Sequence, residues 1–415
     1  MMIIDAKKYS GKCSCGKSHV MVTELAVIES NVLKKFNEYR QKYFPETKHV
    51  TAIYDKNTYA AVSDKHPEVD CEIVLSPENL HADEKACAIV LEKLSTKTDL
   101  LVAVGAGTVH DVTRYCANKK GIQFVACPTA ASVDGFCSSV AAMTWEGFKK
   151  TMPGVAPKLV LADVDIIANA PMRLTNSGFG DMVGKYIALS DWKIANAITG
   201  EFLCERIYSL MMEATKTAID CADGLAVRDK TAIEKLMGGL ILSGLAMQMM
   251  GNSRPASGAE HHISHIIEMQ PSGLGVSSSA LHGEKVGVAT LLLCEEYHRL
   301  ATEKINWKDY EPLSKECIEK VFGSRLVDSV MQENVNDCAF NIKASDVTNN
   351  IDKICQIIAN IPQKDKLLGI YEKLGAMKSL TDLGVDEKLK DKLFFYSPTV
   401  RNRLTLMRLR QSAKI

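Results

Sequence analysis

Up to residue 167 the chain alternates two kinds of segment, and after Pro171 one of them disappears. Short runs rich in β-branched and aromatic residues stand at HVTAIYD (49–55), CEIVLS (71–76), LLVAVG (100–105), IQFVACPT (122–129) and KLVLADVDII (158–167). Between them lie stretches such as DEKACAIVLEKLSTK (83–97), whose apolar residues recur at helical spacing. Strands that alternate with helices in this way are buried on both faces and form a mostly parallel sheet, the rhythm of a nucleotide-binding domain. Beyond Pro171 only helical spacing remains, in MVGKYIALSDWKIANAI, CERIYSLMMEATKTAIDCA, TAIEKLMGGLILSGLAMQMM and EKVGVATLLLCEEYHRLATEK. The expectation is an α/β domain over residues 1–170 and an all-helical domain over 171–415, joined near 168–172 without a Gly/Ser linker.

Composition narrows the functions such a chain can serve. The 50 basic and 50 acidic residues cancel, so no global field draws nucleic acid or an anionic membrane surface, and an anionic ligand must be met locally. Thirteen scattered cysteines, an odd number, suit reduced thiols in the cytoplasm better than a disulfide framework. The opening MMIIDAKKYS has no basic segment followed by an apolar one, so no secretory signal is expected. The longest apolar segment, MGGLILSGLAMQMMG (237–251), is too short and glycine-rich to span a bilayer and reads as a buried helix.

Two loops follow strands in positions where ligands are met. Gly105-Ala-Gly107-Thr108-Val109-His110-Asp111 leads from LLVAV into a helical pattern. Glycines there let the backbone approach a pyrophosphate, whose charge is favoured by N–H groups at the helix start, although His110 stands where the full fingerprint has a third glycine. The alternative is an ordinary tight turn. The second loop, Pro128-Thr129-Ala130-Ala131-Ser132-Val133-Asp134-Gly135-Phe136-Cys137-Ser138-Ser139, is rich in small and hydroxylated residues that can bond phosphate or nicotinamide, with Asp134 able to accept from a substrate hydroxyl. Its alternative is a polar turn. Asp55, at the end of a strand, can accept from a ribose, cap the next helix, or do both.

The helical half carries Asp181 in GFGDMVGK, His261 and His265 in RPASGAEHHISHIIEM, and His282 in LHGEKVG. His261 and His265 share one helix face, whereas His262 projects roughly 100° away. One carboxylate and two imidazoles suit zinc, nickel or ferrous iron with coordination positions left for substrate. The alternative is a solvated polar face. A zinc-protease helix fits poorly, because His262 stands where that mechanism needs a glutamate. Cys13, Cys15 and His19 in CSCGKSH offer three donors and read as a local loop rather than a metal knuckle.

Taken in order, GAGTVHD, PTAASVDGFCSS, GFGDMVGKYIALSDWK, RPASGAEHHISH and LHGEKVG resemble the sn-glycerol-1-phosphate dehydrogenase family over about residues 50–290, and the CSCGK segment and long tail resemble its bacterial, AraM-type branch. The resemblance implies the dehydroquinate synthase-like fold of glycerol dehydrogenases and iron-type alcohol dehydrogenases: a Rossmann-like N-terminal domain and a helical C-terminal one. It implies metal ligands at Asp181, His261 and His282, where His261 is preferred to His262 because it keeps the spacing to His265. Asp134, Asp181 and His265 match substrate-contacting positions, with Asp181 and His265 in the catalytic role. Cofactor contacts fall on Asp55, Gly107, Thr108, Val109, His110, Asp111, Thr129, Ala130, Ala131, Ser132 and Ser138.

The implied reaction is reversible reduction of dihydroxyacetone phosphate to sn-glycerol 1-phosphate by NAD(H) or NADP(H), with one divalent metal (nickel, zinc or iron), in a cytoplasmic homodimer serving phospholipid synthesis. Arg254 and Lys185 are candidates for the phosphate, each with an ion-pair or surface role as the alternative. The competing readings are a glycerol dehydrogenase acting on the unphosphorylated polyol and a non-catalytic nucleotide-binding protein of the same fold.

Overall fold

The computed structural model describes residues 1–414, the side chain of Phe148 excepted, and the chain forms two compact units: Met1–Met182 with Lys216–Asn252, and Val183–Thr215 with Ser253 onward. The first unit is built on strands β1 (Met2–Asp5), β2 (Leu25–Glu29), β3 (Val50–Asp55), β4 (Cys71–Leu75), β5 (Leu100–Gly105), β6 (Gln123–Pro128) and β7 (Leu159–Asp163). Their spatial order is β1-β2-β7-β6-β5-β3-β4. All neighbours are parallel except β1 and β2, which pair antiparallel at the edge. The helices up to residue 302 are α1 (Phe36–Tyr43), α2 (Lys56–Val62), α3 (Glu84–Lys93), α4 (Gly107–Lys120), α5 (Val164–Asn169), α6 (Met172–Thr199), α7 (Glu205–Asp220), α8 (Ala222–Ala226), α9 (Lys230–Met250), α10 (Ala259–Met269) and α11 (His282–Thr302), and shorter ones follow.

Each of the five runs expected to be strands contributes one, and the central residues of β3, β5, β6 and β7 are buried, as a sheet covered on both faces requires. The run KLVLADVDII, however, is strand only to Asp163 and helix from Val164, because the Asp163 carboxylate accepts from the Asp165 N–H at 3.1 Å and caps α5. Strands β1 and β2 escape a reading by periodicity because no βα unit precedes them in the chain. A further hairpin pairs Val140–Trp145 with Phe148–Pro153, and its backbone docks at Asp83 through Thr144.

Chain order and sheet order together locate a crevice. After β3 the chain moves outward to β4, and after β5 it moves the other way to β6, with β3 and β5 adjacent. Right-handed crossovers then put α2 on one face of the sheet and α3 and α4 on the other, and α3 does pack on α4. The loops leaving β3 and β5 therefore part, which opens the crevice where α/β sheets take ligands.

The apolar segment 237–251 lies within α9, a largely buried helix capped at its start by Asp229 and ended by Gly251 at φ +77°. It packs against β2 and α5. Among the described residues no helix is long and apolar enough to cross a membrane. In the second unit α11 runs through the core, flanked by α10 and by helices Ile351–Ile358 and Lys364–Leu374. A two-residue pairing of Asn306–Trp307 with Ala413–Lys414 is a small departure from an all-helical expectation.

Candidate active site

Asp55 ends β3 and Gly105 ends β5, so the two stand on either side of the crevice in the first unit. The Asp55 carboxylate accepts from the Asn57 N–H at 2.8 Å and the Thr58 N–H at 3.0 Å, both through Oδ1, which makes it the N-cap of α2. Helix α4 begins at Gly107 without a side-chain cap, so its first N–H groups face the crevice mouth. Gly105 is glycine for packing: a Cβ there would lie 2.7 Å from Val109, so α4 could not start so close to the strand. Thr108 and Val109 stand in the first turn of α4, and Asp111 lies 3.6 Å from Arg114. The His110 side chain is core: its Nδ1 meets the Ala106 carbonyl at 3.0 Å, its ring packs edge-on against Phe136, and burial pushes it down to about 3.

The loop from Thr129 to Ser138 is held from two directions. Arg114, fully buried on α4, donates through Nη1 to the carbonyls of Ser138 (2.8 Å) and Val140 (3.2 Å), and through Nη2 to those of Gly135 (2.6 Å) and Phe136 (3.1 Å). Helix α6 closes from the other side: Ser177 Oγ donates to the Ser132 carbonyl at 2.9 Å, and a Cβ on Gly178 would lie 2.0 Å from the Ala131 carbonyl oxygen. The loop backbone thus lies directly on the helix. The Thr129 N–H bonds the Gly105 carbonyl, tying the loop to the end of β5. Ala130 and Ala131 are buried, and Ser132 Oγ is buried without a hydrogen-bond partner. Ser138 Oγ is committed to Val140, donating to its carbonyl at 2.8 Å.

The same contact orients two carboxylates. The Asp134 N–H donates to Asp181 Oδ2 at 3.0 Å, and Ser243 Oγ of α9 donates to Asp134 Oδ2 at 2.7 Å. Asp181 is fully buried on α6. Within the second unit, Gly184 of α6 packs so closely that a Cβ would meet Val286 Cγ1 at 2.7 Å and Glu260 Cγ at 3.1 Å.

In the second unit three imidazoles converge. Ring centroids stand 5.2 Å apart for His261–His282, 5.8 Å for His265–His282 and 6.1 Å for His261–His265. His261 Nδ1 lies 2.7 Å from Glu260 Oε1, and His282 Nδ1 lies 2.9 Å from Glu268 Oε1. Each carboxylate fixes the proton on Nδ1 and turns Nε2 the other way, the arrangement of a metal-ligating histidine backed by a carboxylate. His265 Nδ1 is buried without a partner, and burial, followed by the charge of Arg401, holds this imidazole well below its ordinary value. His262 is buried away from this cluster, with neither ring nitrogen bonded.

The start of α10 is set by Asp191 of α6, whose Oδ2 accepts from the Ala259 N–H at 2.9 Å while Oδ1 accepts from Tyr297 Oη and the Leu406 N–H, both at 2.8 Å. Burial pushes the Asp191 carboxyl up to about 7, against those N–H donors. Neither phosphate candidate is a surface residue. Arg254 is ion-paired with Glu201 at 2.7 Å and donates to the carbonyls of Asp191 and Leu404, and Lys185 donates to the Ala256 carbonyl at 3.0 Å. Arg401 is different: it follows the segment Ser397–Val400 that packs on α10, it is part-exposed, and its nearest acid, Glu333, is 4.0 Å away.

Sequence reasoning passed over Glu260, Glu268, Asp191, Arg114 and Ser243. A signal existed for one of them: His261, Ser264, His265 and Glu268 fall at i, i+3, i+4 and i+7, one polar stripe along the helix. For the others no local pattern marks the partner.

Residues 27–171 match the family described as iron-containing alcohol dehydrogenase. A glycerol-1-phosphate dehydrogenase of Halalkalibacterium halodurans, NAD(P)+-dependent by its name, is 32% identical over 98% of this chain and 97% of its own length. A protein of the same name from Bacillus subtilis is 36% identical over 66% of this chain and 72% of its own. Among solved structures, a probable glycerol dehydrogenase from Sinorhizobium meliloti superposes with a TM-score of 0.61 at 16% identity, covering 93% of this chain and 94% of that one. An iron-containing alcohol dehydrogenase from Corynebacterium glutamicum gives 0.61 at 15%, covering 95% of each. Those structures share the fold. The identity over nearly the full length of both chains goes further: this protein belongs to the glycerol-1-phosphate dehydrogenase family of NAD(P)-linked oxidoreductases.

Proposed function

We propose that this enzyme reduces dihydroxyacetone phosphate reversibly to sn-glycerol 1-phosphate with NADH or NADPH, using a divalent metal held by Asp181, His261 and His282. Residues 1–170 serve the dinucleotide and 171–415 the metal and substrate, and the working form is a cytoplasmic homodimer. The observation that carries the reading is the imidazole cluster of α10 and α11, with two of its rings backed by Glu260 and Glu268, in a chain of this family. The residues fit such a metal: two neutral imidazoles and one carboxylate suit nickel, zinc or ferrous iron. Nickel and zinc are the first choices.

When bound, the metal supplies a Lewis acid for the carbonyl oxygen and the nicotinamide supplies the hydride. The chain's residues do the rest. The first N–H groups of α4 from Gly107 to Asp111 and the Thr129–Ser132 loop receive the dinucleotide phosphates, and Asp55 receives the adenosine ribose with the oxygen that does not cap α2. Asp134, aimed by Ser243, accepts from a substrate hydroxyl. His265, held neutral by burial, is placed to relay a proton to the reduced oxygen, taking one from water at its bare nitrogen as it gives up the other. Glycerol as the natural substrate is disfavoured because the motif wording and the named relatives match the phosphate enzyme.

The test is to chelate the purified enzyme, add back nickel, zinc or ferrous iron singly, and assay dihydroxyacetone phosphate and glycerol with each cofactor. Recovery on the phosphate substrate supports the reading. Recovery on glycerol alone, or no activity with any metal, overturns it.

Two substitutions probe its parts. Glu268→Gln removes the carboxylate behind His282 and is expected to weaken metal affinity by about 10- to 100-fold, read by competition with a chelator; unchanged affinity would separate Glu268 from the metal. For the phosphate we choose Arg401. Arg401→Ala is expected to raise KM for dihydroxyacetone phosphate by about 10- to 100-fold, the worth of a charge-assisted hydrogen bond, with glycerol oxidation unaffected. An equal effect on both substrates would count against that role.

A further inference from the structure

The N-terminal CSCGKSH segment has no part in the chemistry above, yet its structure is that of a binding loop. Gly11–Lys12 and Ser18–His19 pair antiparallel, with Gly11 opposite His19. The tip is closed by the Gly16 N–H to the Cys13 carbonyl and the Cys13 N–H to the Lys17 carbonyl, each 3.0 Å, and Gly16 takes φ +85°, which a side chain would resist. This turn brings the donor atoms of Cys13, Cys15 and His19 within 4.8 Å of one another.

His19 is only 3% exposed, although it sits on a two-residue strand near the chain start. Its Nδ1 lies 2.7 Å from the carbonyl oxygen of Met249, in the last turn of α9. A carbonyl only accepts, so Nδ1 carries the proton and Nε2 presents its lone pair on the other side of the ring. On that side Cys15 Sγ stands 3.6 Å away. With Zn–S near 2.3 Å and Zn–N near 2.0–2.1 Å, a tetrahedral zinc holds its sulfur and nitrogen ligands about 3.6 Å apart. The backbone carbonyl behind the histidine is the usual outer support of such a ligand.

We propose that Cys13, Cys15 and His19 bind a structural zinc ion that fastens the N-terminal hairpin to the end of α9. The thiols bind as thiolates and release their protons to solvent as the metal enters. Two sulfurs make this site softer than a carboxylate-and-imidazole centre, so it selects zinc without redox chemistry. Structural zinc takes four ligands, and the fourth comes from another cysteine of the chain or from water.

The sulfur ligands make the test independent of the catalytic metal. Cobalt is exchanged into the full-length enzyme, and thiolate-to-cobalt charge transfer is sought in the near ultraviolet, with the visible bands of tetrahedral cobalt beside it. The expected result is a thiolate-ligated cobalt signal that zinc displaces, and that Cys13→Ser with Cys15→Ser abolishes while dihydroxyacetone phosphate turnover at low temperature persists. In parallel, alkylation of the unmutated enzyme read by mass spectrometry should show Cys13 and Cys15 protected by zinc and exposed by chelator, with any third protected cysteine as the fourth ligand. Absence of a thiolate–cobalt signal, its survival in the double variant, equal alkylation with and without zinc, or a Cys13–Cys15 disulfide in the freshly purified enzyme would each overturn the site.

Discussion

His261→Ala is expected to cut dihydroxyacetone phosphate reduction by on the order of a thousandfold or more, the scale on which loss of a preorganised group at a developing oxyanion acts. Metal content should fall with it. The side chain is buried, its Nδ1 is fixed by Glu260 at 2.7 Å, and its ring lies 5.2 Å from that of His282. Truncation therefore removes a proposed ligand. Asp181→Ala should behave alike for a different structural reason: Asp181 Oδ2 receives the Asp134 N–H, so its loss is expected to disturb both the proposed metal centre and the loop that carries Asp134. His282→Ala, at the exposed end of the cluster, is the cleanest of the three for folding. Metal by plasma mass spectrometry, circular dichroism and cofactor titration should show an emptied centre on an intact fold. Full metal content and activity in any of these variants would sink the ligand assignment.

Gly178→Ala should be the most damaging single methyl in the first unit. Its Cβ would lie 2.0 Å from the Ala131 carbonyl oxygen and 2.8 Å from the Ala131 carbonyl carbon, both backbone atoms that cannot rotate aside. Either α6 or the Thr129–Ser132 loop must move, at a cost at or above about 3 kcal/mol, the upper end for overpacking. The consequence reaches function, since the Ser177–Ser132 and Asp134–Asp181 hydrogen bonds depend on the same approach. We expect a lowered melting temperature and weaker NADH binding together, read by thermal unfolding and fluorescence titration. Gly135→Ala is the control: its Cβ would meet nothing within 4 Å, and it should be near neutral. A Gly178→Ala enzyme as stable as the control would mean that α6 and the loop are less tightly apposed than described.

Periodicity carried much of the architecture. Runs such as LLVAVG and IQFVACPT lie in the sheet because strands covered on both faces must be apolar throughout, and helical spacing beyond Pro171 had no competing pattern. The boundary inside KLVLADVDII was not legible, since a capping aspartate converts strand to helix without any break in hydrophobicity. The edge strand β1 and its neighbour β2 were not legible, because no βα unit precedes them in the chain.

The site divides in the same way. The H-x-x-x-H spacing of His261 and His265 is a property of one helix, so the sequence alone puts them on a common face, and the glycines of GAGTVHD mark a turn wherever they fold. Pairings across the chain are another matter. Asp134 meets Asp181 and Ser243 over separations of 47 and 109 residues, and Arg254 is bound to Glu201 rather than held out for a phosphate. Local spacing determines which face of an element is polar or apolar. Which other face it meets is decided by close packing of the whole chain, and so only the tertiary structure shows that Glu268 stands behind His282, that α9 belongs with the sheet, and that three donors of an N-terminal hairpin share one point in space.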